Sequence, residues 1–294
     1  MLVFAFVGDN DNRGLEANPL LLGKRNSMRS LALIGIALAL SVGTAMGGDF
    51  EDGVKSYRAK DYAKAMELWQ SAAAQGNALA QFTLGFMYEK GQGTAVDYRK
   101  AVTWYRQAAA KGNAAAQTNL GFLYEKGQGV AQDDRQAVDW YRKAAEQGTA
   151  EAQFNLGRMY QTGQGVPQDY AQAASWFAKA GAQGHTWAQS ALGLMYESGQ
   201  GLPRDYREAV AWYRKAAEKG DSMAQIGLGR IYEAGQEGVA MDYVEAHKWW
   251  AIAASKGEER AQSSRIALER LMTPEQIAQA KRGAGEWIKA HGQP

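Results

Sequence analysis

Apolar and small residues along this chain fall at intervals of three and four, and the whole pattern returns every 36 residues. Ala80, Leu84 and Tyr88 are spaced four apart, which places them on one face of a helix. Ala-Gln pairs open near-copies of this segment at Ala80-Gln81, Ala116-Gln117, Ala152-Gln153 and Ala188-Gln189. Ala224-Gln225 keeps the step but reads Ile226-Gly227 in its central slot. Ala261-Gln262 follows one residue late, because Gln236-Glu237-Gly238 carries an insertion. A period of this length marks an array whose units bury their apolar faces by stacking on their neighbours. The functional question is then which surface the array presents.

The unit reads as helix, Gly-rich loop, helix. Gly85 lies inside the first helix and returns as Gly121, Gly157, Gly193 and Gly229. A mid-helix Gly costs about 1 kcal/mol against Ala, so its repetition predicts a close approach by a second helix. Gly91-Gln92-Gly93 and its copies supply the stop signal. Asp97, with Asp61, Asp133, Asp169, Asp205 and Asp242, is placed to cap the second helix. Pro167 and Pro203 fit a segment that is not yet helical. The second helix then carries Tyr98, Ala101, Trp104, Tyr105, Ala108 and Ala109 at spacings of three and four, and Gly112 closes it. The Trp and Tyr stripes (Trp104, Tyr105, Trp140, Tyr141, Trp176, Phe177, Trp212, Tyr213) read as core.

The run Ala80-Gln81, Leu84-Gly85, Tyr88, Gly91-Gln92-Gly93, Asp97-Tyr98, Ala101, Trp104-Tyr105, Ala108-Ala109, Gly112 resembles the Sel-1-like repeat family, relatives of tetratricopeptide repeats. The resemblance covers five units, residues 80–260. It implies an all-α fold, a right-handed α/α superhelical solenoid of about 36-residue helix-loop-helix repeats. It also implies use in protein–protein contact, common in bacterial envelope proteins. Asp134 and Gly181 depart from the pattern, and the insertion near Glu237 predicts a longer loop there.

Both ends read as caps. Residues 48–79 form an N-terminal helical hairpin with a short turn at Ala59-Lys60. Residues 261–294 form C-terminal capping helices, the last beginning at Thr273-Pro274 and covering the final repeat with Ile277, Trp287 and Ile288. Residues 28–47 read as a signal peptide: Arg29, a twelve-residue apolar run from Leu31 to Val42, then small residues. That run is too short to span a membrane as a helix. Residues 1–27 read as a gene-model extension. The expected location is periplasmic or secreted, with an uncleaved N-terminal anchor as the alternative and no membrane contact in the mature form.

Composition narrows the chemistry. The chain has no cysteine, which excludes the disulfide in each repeat found in some Sel-1-like proteins, and also a Cys nucleophile. It carries 33 basic and 31 acidic residues. Removal of residues 1–47 takes away Arg13, Lys24, Arg25, Arg29, Asp9, Asp11 and Glu16 and leaves the array near neutral. No electrostatic case for nucleic acid follows. His185, His247 and His291 stand apart, without metal-ligand spacing, and no Gly-x-Ser-x-Gly elbow is present. No cofactor is expected.

Structural positions repeat, whereas contact positions are free to vary. Carried across from the tetratricopeptide pattern, the first-helix positions on the concave side include Phe82, Phe86, Phe122, Phe154, Arg158, Trp187, Leu194, Ile226 and Arg230, with Thr118 among them. Several are aromatic where a solvated face would be polar. They either anchor a partner in a groove or pack between neighbouring units. The reading is a non-enzymatic scaffold that binds a peptide or protein partner through this face. The alternatives are a cell-wall or β-lactam hydrolase, as attributed to some relatives, and a solenoid that binds envelope polysaccharide.

Overall fold

A computed structural model describes residues 48–291. The expected extension at 1–27 and signal peptide at 28–47 lie outside the described residues. Among those described there are fourteen helices and no strand. They alternate as first and second helices of successive units. The pairs are α1 (Gly48–Arg58) with α2 (Tyr62–Ala74), α3 (Ala78–Lys90) with α4 (Tyr98–Ala110), and α5 (Ala114–Lys126) with α6 (Asp134–Glu146). Next come α7 (Ala150–Thr162) with α8 (Tyr170–Ala182), α9 (Thr186–Ser198) with α10 (Tyr206–Glu218), and α11 (Ser222–Ala234) with α12 (Tyr243–Ala254). Then follow α13 (Glu259–Glu269) and α14 (Pro274–His291). Each helix packs on its partner in the unit and on its chain neighbours in the next, as expected of a solenoid.

The caps fall where the sequence puts them. All six Asp side chains accept backbone N–H bonds at the second-helix starts, for example from Lys100 to Asp97 at 3.0 Å. Thr273 and Gln276 cap each other's backbone at the start of α14. The insertion forms a tight turn in which Gln236 and Val239 exchange backbone hydrogen bonds of 2.9 and 2.8 Å.

The mid-helix glycines are sites of close approach. A Cβ built on Gly121 would lie 2.8 Å from ring carbons of Tyr141 and 3.2 Å from the Ala137 carbonyl. Gly85 faces Tyr105, Gly157 faces Phe177, Gly193 faces Tyr213 and Gly229 faces Trp250 in the same way. The odd slot Ile226-Gly227 has the same cause: Gly227 meets the other edge of Tyr213, so that ring is clamped between two glycines. In the pairs at 104, 140, 176 and 212 only the second aromatic is therefore core, whereas Trp249 and Trp250 are both buried. Trp104, Trp140, Trp176 and Trp212, read from sequence as core, are half-buried. Lys143, Lys179 and Lys215 lie over the last three rings at 4.1, 3.9 and 3.9 Å.

The repeated Gln, which spacing alone left without a role, stitches helices together. Gln81, Gln117, Gln153, Gln189 and Gln225 each donate Nε2 to a carbonyl eight residues back, at the end of the preceding second helix. Gln147 and Gln183 satisfy the Oε1 atoms of Gln117 and Gln153 at 2.7 Å. Where the matching turn residue is Lys111, Lys219 or Lys256, its ammonium bonds the carbonyl of Gly76, Gly184 or Gly220 instead. The Oε1 atoms of Gln81, Gln189 and Gln225 are then buried without a partner. An unmade bond of that kind costs about 1–3 kcal/mol.

Candidate partner-binding face

The side chains at 86, 122, 158, 194 and 230 share one register position, on α3, α5, α7, α9 and α11. Beneath them lies a polar ladder. The Tyr105 hydroxyl donates to Glu89 at 2.7 Å, Tyr141 to Glu125 at 3.0 Å, and Tyr213 to Glu197 at 2.8 Å. The next unit reaches back: Arg158 donates to Glu125 at 2.5 Å and Arg230 to Glu197 at 2.6 Å. In the unit between, all three partners change together. Phe177 lacks the hydroxyl, Gln161 lacks the charge, and Leu194 stands in the arginine's place.

Electrostatics follow the burial. Desolvation alone would raise the Glu125 carboxyl, but Arg158, Lys126 and the Tyr141 hydroxyl outweigh it and hold it below the usual carboxylate range. Burial, and then the neighbouring carboxylate, push the Tyr105, Tyr141 and Tyr213 phenols upward. These tyrosines therefore act as neutral donors.

The nine sequence candidates divide by exposure. Phe82 is 2% exposed and packs on Tyr105, with ring centroids 5.8 Å apart. Phe86 is buried. Phe154 is buried too, stacked on His185 at 4.6 Å and beside Phe177 at 5.7 Å and half-buried Trp187 at 6.0 Å. Phe122 is half-buried, and Ile226 is half-buried against the C-terminal core. The Arg158 side chain is only 14% exposed, held by Glu125. Leu194 is 42% exposed and the Arg230 side chain 55%. Thr118, read from sequence as an outer position, is 2% exposed and bonds the Ala114 carbonyl at 2.8 Å. Met223, which the sequence pattern also places on this side of the first helices, is exposed on α11.

The two interior histidines have structural partners. His185 caps α9: Nδ1 accepts from the Ala188 N–H at 3.2 Å, and Nε2 lies 3.1 Å from Glu151. A histidine in this role was not anticipated, because Asn77, Asn113 and Asp221 hold the matching sites. His247 is fully buried where α12, α13 and α14 meet. Its Nε2 lies 3.0 Å from Glu269, which Arg265 and Lys281 also contact at 2.9 and 3.1 Å. Burial lowers the His247 pKa, partly offset by Glu269. Among the described residues no group of three or more His, Cys, Asp or Glu side chains is placed to hold a metal ion, and no helix is long and apolar enough to cross a membrane.

A family model described as Sel1 repeat matches residues 46–77, 78–113, 114–149, 150–185, 188–221 and 222–258. It counts the first hairpin as a repeat, and Gly53 does face Trp69 there as Gly85 faces Tyr105. The solved structure of a Sel1 repeat protein from Oxalobacter formigenes is 33% identical, with a TM-score of 0.69, covering 85% of this chain and 98% of that one. A protective antigen with an SLR fold, present in uropathogenic Escherichia coli strains, is 30% identical with a TM-score of 0.53, covering 91% of this chain and 72% of that one. None of the curated proteins compared matches the chain.

Proposed function

Given that the chain belongs to the Sel1 repeat family, a helical-solenoid family commonly used as protein-interaction scaffolds, we propose that it is an exported, non-catalytic scaffold. It binds a protein or peptide partner through the first-helix face of α3 to α11. The observation that carries this reading is the contrast along one register position. Phe86 is buried and Arg158 nearly so, whereas Leu194 and Arg230 stand open on the same face of later units. An array held together by Gly–aromatic contacts and Asp caps does not need an exposed leucine there.

The hydrolase alternative would draw on His185 or His247. One is committed to a helix cap and the other is buried against Glu269, so neither is free to serve a substrate at the surface. For export, the support is the Arg29 and Leu31–Val42 pattern in the sequence.

Two measurements test the proposal. N-terminal sequencing of the mature protein should give a start near residue 46 or 48; an intact Met1 would sink the export reading. Partner capture with the mature chain should be lost on Leu194→Ser or Arg230→Gln while the melting temperature holds. Capture that survives both substitutions would remove the first-helix face from the reading. Arg158→Ala is unsuited to this test, because it also frees the buried Glu125.

A further inference from the structure

Charge on the first helices is sorted by depth. On α3, α5, α7, α9 and α11 the exposed charged residues are Lys90, Lys126 and Arg230. None of the carboxylates on these helices is exposed: Glu89 and Glu125 are buried, and Glu151, Glu197 and Glu233 are half-buried. The half-buried carboxylates are spoken for by His185, by Tyr213 with Arg230, and by the Trp250 indole. A face with cations outward and anions inward offers a positive potential to a ligand even when its formal charges nearly balance.

The same face becomes aliphatic toward α9 and α11. Leu194 is 42% exposed and Met223 46%, with Trp187 and Ile226 half-buried beside them in sequence register. Packing explains part of this. Gln161 needs no cation, so the arginine of the neighbouring units has no partner at 194. That accounts for the loss of Arg and not for an open Leu. A polar side chain would meet the same packing demand without exposing apolar surface.

Resting on the first-helix reading above, we infer that the α9–α11 part of this face takes an acidic peptide segment with aliphatic side chains between its carboxylates. The aliphatic groups cover Leu194, Met223, Ile226 and Trp187. A carboxylate pairs with the Arg230 guanidinium, which Glu197 orients from below while 55% of the side chain stays exposed. The occupant's charge sign follows from Arg230, the one exposed charged side chain on α9 and α11, while Glu197 and Glu233 on the same helices are half-buried.

The test uses the purified chain and two labelled hexapeptides, Asp-Leu-Asp-Asp-Leu-Asp and Lys-Leu-Lys-Lys-Leu-Lys, followed by fluorescence anisotropy. The acidic probe should bind and the basic one should not. Leu194→Ser and Arg230→Gln should each weaken the acidic probe about tenfold, and added salt should weaken it further. Arg230→Lys, which keeps the charge toward Glu197, should stay within about threefold and covers the case in which Arg230→Gln lowers the melting temperature. Equal binding of both probes, no binding of the acidic probe, or indifference to both Leu194→Ser and Arg230→Gln would overturn the inference. If the acidic probe fails while partner capture is still lost on Leu194→Ser, the acidic occupant falls and the scaffold reading stands. If capture also survives both substitutions, both fall.

Discussion

Two successive junctions in this array join helices of the same length through different chemistry. Between the units 114–149 and 150–185, a buried carboxylate gathers three donors: Tyr141 from its own unit, Lys126 beside it, and Arg158 from the next. Between 150–185 and the following unit no Glu–Arg pair forms, and Glu151 meets the capping His185 instead. Phe154 packs there, stacked on His185 and tilted against Trp187, while Gln161 and Leu194 replace the ion pair. A solenoid junction can thus be closed by a paired charge or by rings. Where rings close it, the outer position is released from holding units together and becomes available for contact.

The largest expected effect breaks the ring junction. Phe154→Ala should cost about 3–5 kcal/mol, the usual loss for a truncated buried Phe. The loss should be nearly the same in low and high salt, since the removed ring carries no charge. A denaturant melt at two salt concentrations checks this. A loss below about 1 kcal/mol would mean that the rings do not hold the junction.

Breaking the charged junction comes next. Glu125→Ala leaves Arg158 and Tyr141 without their acceptor and should cost about 3 kcal/mol. The equivalent Gln161→Ala should cost under about 0.5 kcal/mol, because nothing bridges to it. Equal losses would erase the distinction between the junctions. Gly121→Leu is the control for the Gly–aromatic contact common to both. Even its Cβ is too close to Tyr141, and overpacking should cost about 3 kcal/mol.

Acid sharpens the comparison further. Glu125 has a folded pKa below its unfolded value of about 4.3, so its stabilisation is present above that pH and is lost as pH falls through the folded value. His247 acts earlier. Its folded pKa lies below the unfolded value of about 6.5, so the unfolded chain gains a proton first and stability falls as pH drops below that point. The groups facing it are Glu269, Arg265 and Lys281. The melting temperature should therefore decline in two steps. His247→Gln should remove the upper step and Glu125→Gln should flatten the lower one. A single step unchanged by either substitution would contradict the assignment.

The array itself was legible in the sequence, because its structural residues act through local rules. Asp caps, Gly stops and Gly–aromatic pairs each need one residue type at one place, and all six Asp caps and the five mid-helix glycines do what their positions imply. The face was harder to read. First helices lie between second helices of their own and the preceding unit, so every residue from Ala80 to Glu89 is buried. Without a polar side, periodicity cannot orient such a helix, and Thr118 was placed outward for that reason. The second helices misled differently. Two adjacent aromatics point about 100° apart on a helix, so only Tyr105 and its counterparts could meet the glycine, while Trp104, Trp140, Trp176 and Trp212 sit at the edge. The Glu125–Arg158 pair left a readable signal: Glu125, Tyr141 and Arg158 become Gln161, Phe177 and Leu194 one unit on and return as Glu197, Tyr213 and Arg230, although Phe122 follows Glu89 and Tyr105.

The central claim is that the opened position at Leu194 is where a partner meets the array. A photoreactive side chain placed at Leu194, and in a second protein at exposed Gln172 on α8, tests this most directly by crosslinking in the native host. The account predicts a discrete protein adduct from position 194 that is absent from position 172. Adducts of equal yield from both positions, or an adduct from 172 alone, would contradict it.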